Sequence, residues 1–165
     1  MYIRVLAPQI PKIWDVVKFA ISKVYKIEEK QAGFIFINVL HELLNDKYQC
    51  FVHLSDDEQR TIKAMVFTEI CVNKISGKKT LGIPCLYSFN YHTNEEWGEF
   101  FKLILDFAKQ ENAFPINCES GNERVWEIAE YLGFKESFRT FNYEIKYPEP
   151  PLNMRNFKQD NKLHL

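Results

Sequence analysis

Thiols, imidazoles and carboxylates are the side chains from which a reactive or metal-binding centre is built, and in this sequence they are dispersed. Cys50, Cys71, Cys85 and Cys118 form no C-x-x-C pair and no other zinc-like grouping. Each falls in an apolar, strand-like stretch, where a thiol acts as a small buried hydrophobe, the pattern of a reduced intracellular chain. His41, His53, His92 and His164 offer no ligand pair at helical spacing, so no metal site is expected. Lys74, Lys78 and Lys79 gather at one turn and read as a solvated loop, because nucleic-acid phosphates need a clustered basic face. The pair with a definite local chemistry is Thr93 and Glu96. They stand three apart, just before an apolar helical stripe, so each side chain can satisfy an orphan amide of the first turn.

The elements that must position these groups follow from periodicity. Tyr2 to Leu6 is a short strand, closed by Pro8 and Pro11. Ile10, Ile13, Trp14, Val17, Ile21, Val24 and Tyr25 recur at helical spacing, with Pro11 tolerated in the first turn. Phe36, Ile37, Leu40, Leu43 and Leu44 mark a second helix that ends near Asn45-Asp46. Tyr48 to Leu54, Thr61 to Val72 and Thr80 to Tyr91 are rich in β-branched and aromatic residues. Two polar turns separate them, which predicts an antiparallel meander. Trp97, Phe100, Phe101, Ile104, Phe107 and Ala108 then line one face of a long helix to about Glu111. Phe114 to Cys118 is a short strand, Glu123 to Leu132 a helix with Gly133 as its left-handed cap, and Ser137 to Tyr147 a last strand. This order predicts an α/β (α+β) mixed sheet flanked by helices, as one domain over residues 1–147. The Pro-rich segment 148–165 is expected to be a flexible tail.

Composition excludes several classes. At 165 residues there is room for one core, and 46% hydrophobic with 26% charged residues marks a folded chain. A net charge of -1 argues against a nucleic-acid binder. The uncharged run from Thr80 to Tyr91 is too short to span a bilayer as a helix, and Arg4 interrupts the place of a secretory signal. A cytoplasmic protein is therefore expected. The aromatic share is high at 15%, and most of these rings fall at positions that predict core packing.

The segment from Ile116 to Phe134 reads Ile-Asn-Cys-Glu-Ser-Gly-Asn, then a helix, then Tyr131-Leu132-Gly133-Phe134. It resembles the closing part of the GNAT superfamily of acyl-CoA N-acyltransferases, in which a strand leads to an Asn, a helix follows and Gly-Phe ends it. The element order over residues 1–147 agrees, while Gln31 to Asp46 has no clear counterpart. The resemblance implies a GNAT-like central sheet, mixed but mostly antiparallel, with acetyl-CoA as cofactor and Asn122 as a cofactor-binding residue. In that family a glycine-rich turn carrying a basic residue or Gln opens the central helix and gives the pyrophosphate several backbone N–H groups. The matching stretch here, Ser88 to Glu96, has no glycine, no Lys or Arg, and two carboxylates in the first turn. The family also places a Tyr acid in the helix after the Asn. That position is Ala129 here, and Tyr131 lies two residues later on a different face. The resemblance thus leaves Tyr131 as a shifted acid and Glu69 as the general base, beside the plainer readings of a packing tyrosine and a solvated glutamate.

These departures suggest a GNAT fold whose acetyl-CoA site has eroded, similar to GNAT-like proteins of tailed bacteriophages, some of them internal virion proteins. The first functional expectation is a non-catalytic interaction or virion-associated protein. It would need no cofactor, have other proteins (phage particle components among them) as partners, and lie in the host cytoplasm or the virion. Its arm from Asn153 to Leu165 could order on such a partner. The second is a divergent acetyl-CoA-dependent N-acetyltransferase acting on an amine. The third, a nucleic-acid or host-protein binder on a recycled fold, is weakened on its nucleic-acid side by the near-zero charge.

Overall fold

The computed structural model describes residues 1–137. The expected strand from Ser137 to Tyr147, the domain boundary at 147 and the tail over 148–165 fall outside the described residues, Ser137 apart. Met1–Lys135 form one compact unit.

Its elements are β1 (Tyr2–Val5), a 3-10 helix (Ala7–Ile13), α1 (Trp14–Tyr25), α2 (Glu29–Leu44), β2 (Tyr48–Leu54), β3 (Ile62–Val72) and β4 (Lys79–Ser88). After these come α3 (Asn94–Glu111), β5 (Ile116–Cys118) and α4 (Glu123–Tyr131). The strands form one sheet in the order β1-β2-β3-β4-β5. Every neighbouring pair is antiparallel except β4 with β5. The mixed, mostly antiparallel sheet flanked by helices is therefore as expected.

Alternation along β3 divides the interior in two. Ala64 and Val66 join the cluster of Trp97, Phe100, Ile104 and Phe107 from α3 and Ile128 from α4. Met65 and Phe67 join Val17, Ala20 and Ile21 of α1 and Leu43 of α2. A period of two on the strand thus assigns successive side chains to opposite helical layers.

Three details differ from the sequence reading. The stretch from Ile10 to Tyr25 is not one α-helix: its first part is 3-10, and the α-helix starts at Trp14. Pro11 has no N–H to give an α-helical ladder, and short 3-10 pieces at helix N-termini absorb that loss. Cys71 is exposed near the end of β3 rather than buried. The aromatic residues also split, with Phe51, Phe67, Trp97, Phe100 and Phe107 buried but Phe34 74% and Tyr91 80% exposed.

The register of β4 on β3 slips at one place. Phe67 pairs with Cys85 but Glu69 pairs with Gly82, so Thr68 faces both Ile83 and Pro84. A proline, lacking a ladder donor, is tolerated at such a bulge. Pairing of β4 with β5 ends at Ile83–Cys118, while β4 runs on to Ser88. Bulge and unpaired strand end lie together.

Candidate functional site

The entrance to α3 and the hollow beside the β4 bulge each combine polar groups with a defined geometry. At the entrance, Thr93 is the N-cap, and its hydroxyl oxygen accepts from the Glu96 N–H at 3.2 Å. The Glu96 carboxylate accepts from the Thr93 N–H at 3.0 Å and, through its other oxygen, from Lys63 Nζ at 3.1 Å. The capping box read from the spacing is therefore formed. The Thr93 amide, ahead of burial and Lys63, holds the Glu96 carboxyl below the usual range. The backbone of Glu95 and the Thr93 hydroxyl lower Glu95 in the same way. Two ionised carboxylates thus stand where the dipole of α3 would otherwise favour an external anion.

The hollow lies on the sheet face covered by α1 and α2. It is a cavity of about 540 Å³, with apolar walls from residues such as Ile35 and Phe67 and polar groups from Tyr25, Glu28, Gln31 and Tyr48. Its floor at β4 is Pro84, in the bulge, and Cys85 beside it. The Tyr25 phenol donates to the Pro84 carbonyl at 2.6 Å, and burial pushes its pKa up to about 12. Burial also pushes the Cys85 thiol up to about 12, so it is no thiolate nucleophile at neutral pH. Glu69 sits opposite Tyr48 across β2 and β3. Its charge, after burial, raises both the Tyr48 and the Tyr25 phenols.

The other residues singled out from sequence lie elsewhere. Asn122 is the N-cap of α4, where its side-chain oxygen accepts from the Arg124 N–H at 2.9 Å. Tyr131 ends α4 with its side chain exposed. Ala129 lines an apolar hollow with Phe101, Ile128 and Phe134. Helix α4 packs into the α3 layer, whereas Glu69 pairs with Tyr48, which packs against the α1–α2 cluster. Among the described residues no group of three or more His, Cys, Asp or Glu could hold a metal ion, and no helix is long and apolar enough to cross a membrane.

Sequence reasoning missed one polar pair. His53 and His92, 39 residues apart, are both buried and hydrogen-bonded ring to ring at 2.8 Å. The available signal was His53 within the apolar run Phe51-Val52-His53-Leu54, where an imidazole needs a partner.

No protein-family model matches the sequence, and no curated protein matches it. Solved structures do resemble it. One is a probable acetyltransferase, with a TM-score of 0.69 at 12% identity, covering 91% of this chain and 99% of that one. An aminoglycoside 6'-N-acetyltransferase from Acinetobacter baumannii gives 0.66 at 11% identity, over 90% and 99% of the two chains. A predicted acetyltransferase from Clostridium acetobutylicum, solved with acetyl-CoA, gives 0.67 at 13%, over 87% and 95%. At such identities the likeness defines the fold: this chain has the GNAT fold.

Proposed function

We propose that this protein is a GNAT-fold binding protein that receives a ligand or partner segment in the cavity beside the β4 bulge and transfers no acyl group. The capping box carries this reading. For a cofactor diphosphate to lie on the α3 N-terminus, the Glu96 carboxylate would have to leave the Thr93 amide and Lys63. The cost of that exchange is compounded by repulsion from Glu95 and Glu96. Two further features point the same way. Pro84 gives the bulge no N–H with which to polarise an acyl carbonyl, and its own carbonyl is taken by Tyr25. Ala129 offers no proton at the place where the resemblance calls for an acid.

A second reading, a divergent N-acetyltransferase acting on an amine, is favoured by one observation: β4 runs past its last pairing with β5, leaving a strand edge that could bind an extended cofactor arm. The acetyltransferase neighbours support it at the level of fold. Glu69 would then be the base, and Tyr131 could serve as acid only if it turned in from the surface. Calorimetry with acetyl-CoA separates the two readings, since micromolar binding corresponds to roughly -8 kcal/mol. Absence of heat at millimolar cofactor supports the binding protein, and micromolar binding supports the enzyme. Association with other proteins, including phage particle components, belongs to the first reading and rests on the resemblance alone. Purification as a lone monomer would count against it.

A further inference from the structure

His53 on β2 and His92, the residue before the N-cap of α3, leave only 4% and 3% of their surface exposed. Nδ1 of His53 lies 2.8 Å from Nε2 of His92. Around them pack Tyr2, 4.3 Å from the His53 ring centre, Trp97, 4.9 Å from that of His92, and Phe100. Neither imidazole belongs to the capping box or to the cavity.

The direction of each hydrogen bond follows from a neighbour that can only accept. The Asn90 carbonyl oxygen is 2.9 Å from Nδ1 of His92, so that nitrogen carries the proton. The Ser88 hydroxyl lies 2.8 Å from the same nitrogen and itself donates to the Asn90 carbonyl. His92 Nε2 is then a bare lone pair, and His53 Nδ1 must be the donor to it. This assignment excludes a serine nucleophile activated by His92, because the nitrogen facing Ser88 is already protonated. It also fixes where further protons can go. The first enters at His53 Nε2 and places a buried charge on the pair; a second would reach His92 Nε2 only by breaking the bond between the rings.

We propose that this pair is a pH-sensitive latch: neutral, it ties the loop from Ser88 to Thr93 to β2, and on acidification it releases that loop together with the first turn of α3. The groups facing the pair make a buried imidazolium costly. Lys63 comes from β3, the Met1 amino group and Tyr2 from the β1 side, Asp56 from the β2–β3 turn and Glu96 from α3. Both carboxylates are already engaged, Asp56 with the Met1 amino group at 3.0 Å and Glu96 with Lys63 and the Thr93 amide. Among the described residues that face the pair, both carboxylates thus already have cationic partners, so the new cation gains most by reaching water. Burial first, then His92 and Lys63, lower His53 to about 4, which keeps the latch shut through the neutral range.

The test is amide hydrogen exchange, corrected for intrinsic rates, with imidazole nitrogen shifts from about pH 7 to about pH 4. In the wild-type protein the amides from Phe89 to Glu96 should lose protection at least about tenfold more than those of the second half of α3. His53→Asn keeps a donor near the Nδ1 position but cannot titrate, so its loop should stay protected across the same range. Equal loss of protection along α3, or an unchanged acid transition in H53N, would overturn the proposal. The nitrogen shifts of the wild-type protein decide even if H53N does not fold. The two rings should show the assigned tautomers at neutral pH, and a freely titrating His53 with an ordinary midpoint would refute the latch.

Discussion

Removal of the α3 cap is the perturbation whose size can be worked out most directly. Thr93→Ala deletes the oxygen that accepts the Glu96 N–H at 3.2 Å, a loss of about 1 kcal/mol for an N-cap of this kind. Glu96→Ala deletes the reciprocal bond to the Thr93 N–H and the ion pair to Lys63, whose side chains are 31% and 27% exposed. Partial exposure screens that pair, so about 1 kcal/mol is again expected. Because the two side chains satisfy each other's amides, their losses should not add: a double-mutant cycle should return a coupling of about 0.5–1 kcal/mol. Urea denaturation at neutral pH, followed by the fluorescence of buried Trp97, measures all four corners. The lowered Glu96 carboxyl gives the cycle a pH signature. Its contribution is present above the ordinary carboxyl range and is lost as the pH falls through its folded value, so the coupling should vanish in acid. Single losses below about 0.3 kcal/mol, or strict additivity, would refute the claim that the helix entrance satisfies itself.

Three further outcomes follow from the packing. His53 is held at about 4 against an ordinary 6.5, so the unfolded chain binds the extra proton between those values. Stability should be full above about pH 6.5 and fall by about 3 kcal/mol as the pH drops toward 4, a slope that His53→Asn removes in urea titrations. Phe51→Ala, which empties a fully buried site against Phe107, should cost about 3–5 kcal/mol in the same assay. Tyr25→Phe should cost about 1 kcal/mol through loss of the bond to Pro84, and should remove a late-ionising phenol from the alkaline absorbance titration.

The fold was legible wherever one period dominated. Tyr48–Leu54 and the α3 stripe ending at Glu111 occur where β-branched alternation and the spacing from Trp97 to Ala108 put them. Gly133 does take the left-handed conformation, with φ of 87°, that its place after a helix demanded. The boundary at Trp14 was not legible, because 3-10 and α turns share their first apolar positions and only the missing Pro11 donor separates them. At the candidate site, the cap was readable because its partners are three residues apart. The His53–His92 pair and the approach of Glu69 to Tyr25 were not, since both depend on how distant segments pack rather than on sequence spacing. Likewise the bulge at Pro84 shows only once Phe67 and Glu69 find partners three residues apart on β4.

The central claim, that the entrance to α3 does not accept a cofactor diphosphate, is tested most directly by calorimetric titration of the wild-type protein with acetyl-CoA at neutral pH and low salt. The account predicts no measurable heat up to about millimolar cofactor, the limit of roughly -4 kcal/mol. Saturable micromolar binding, with the diphosphate located against Asn94 in a structure of the complex, would contradict it.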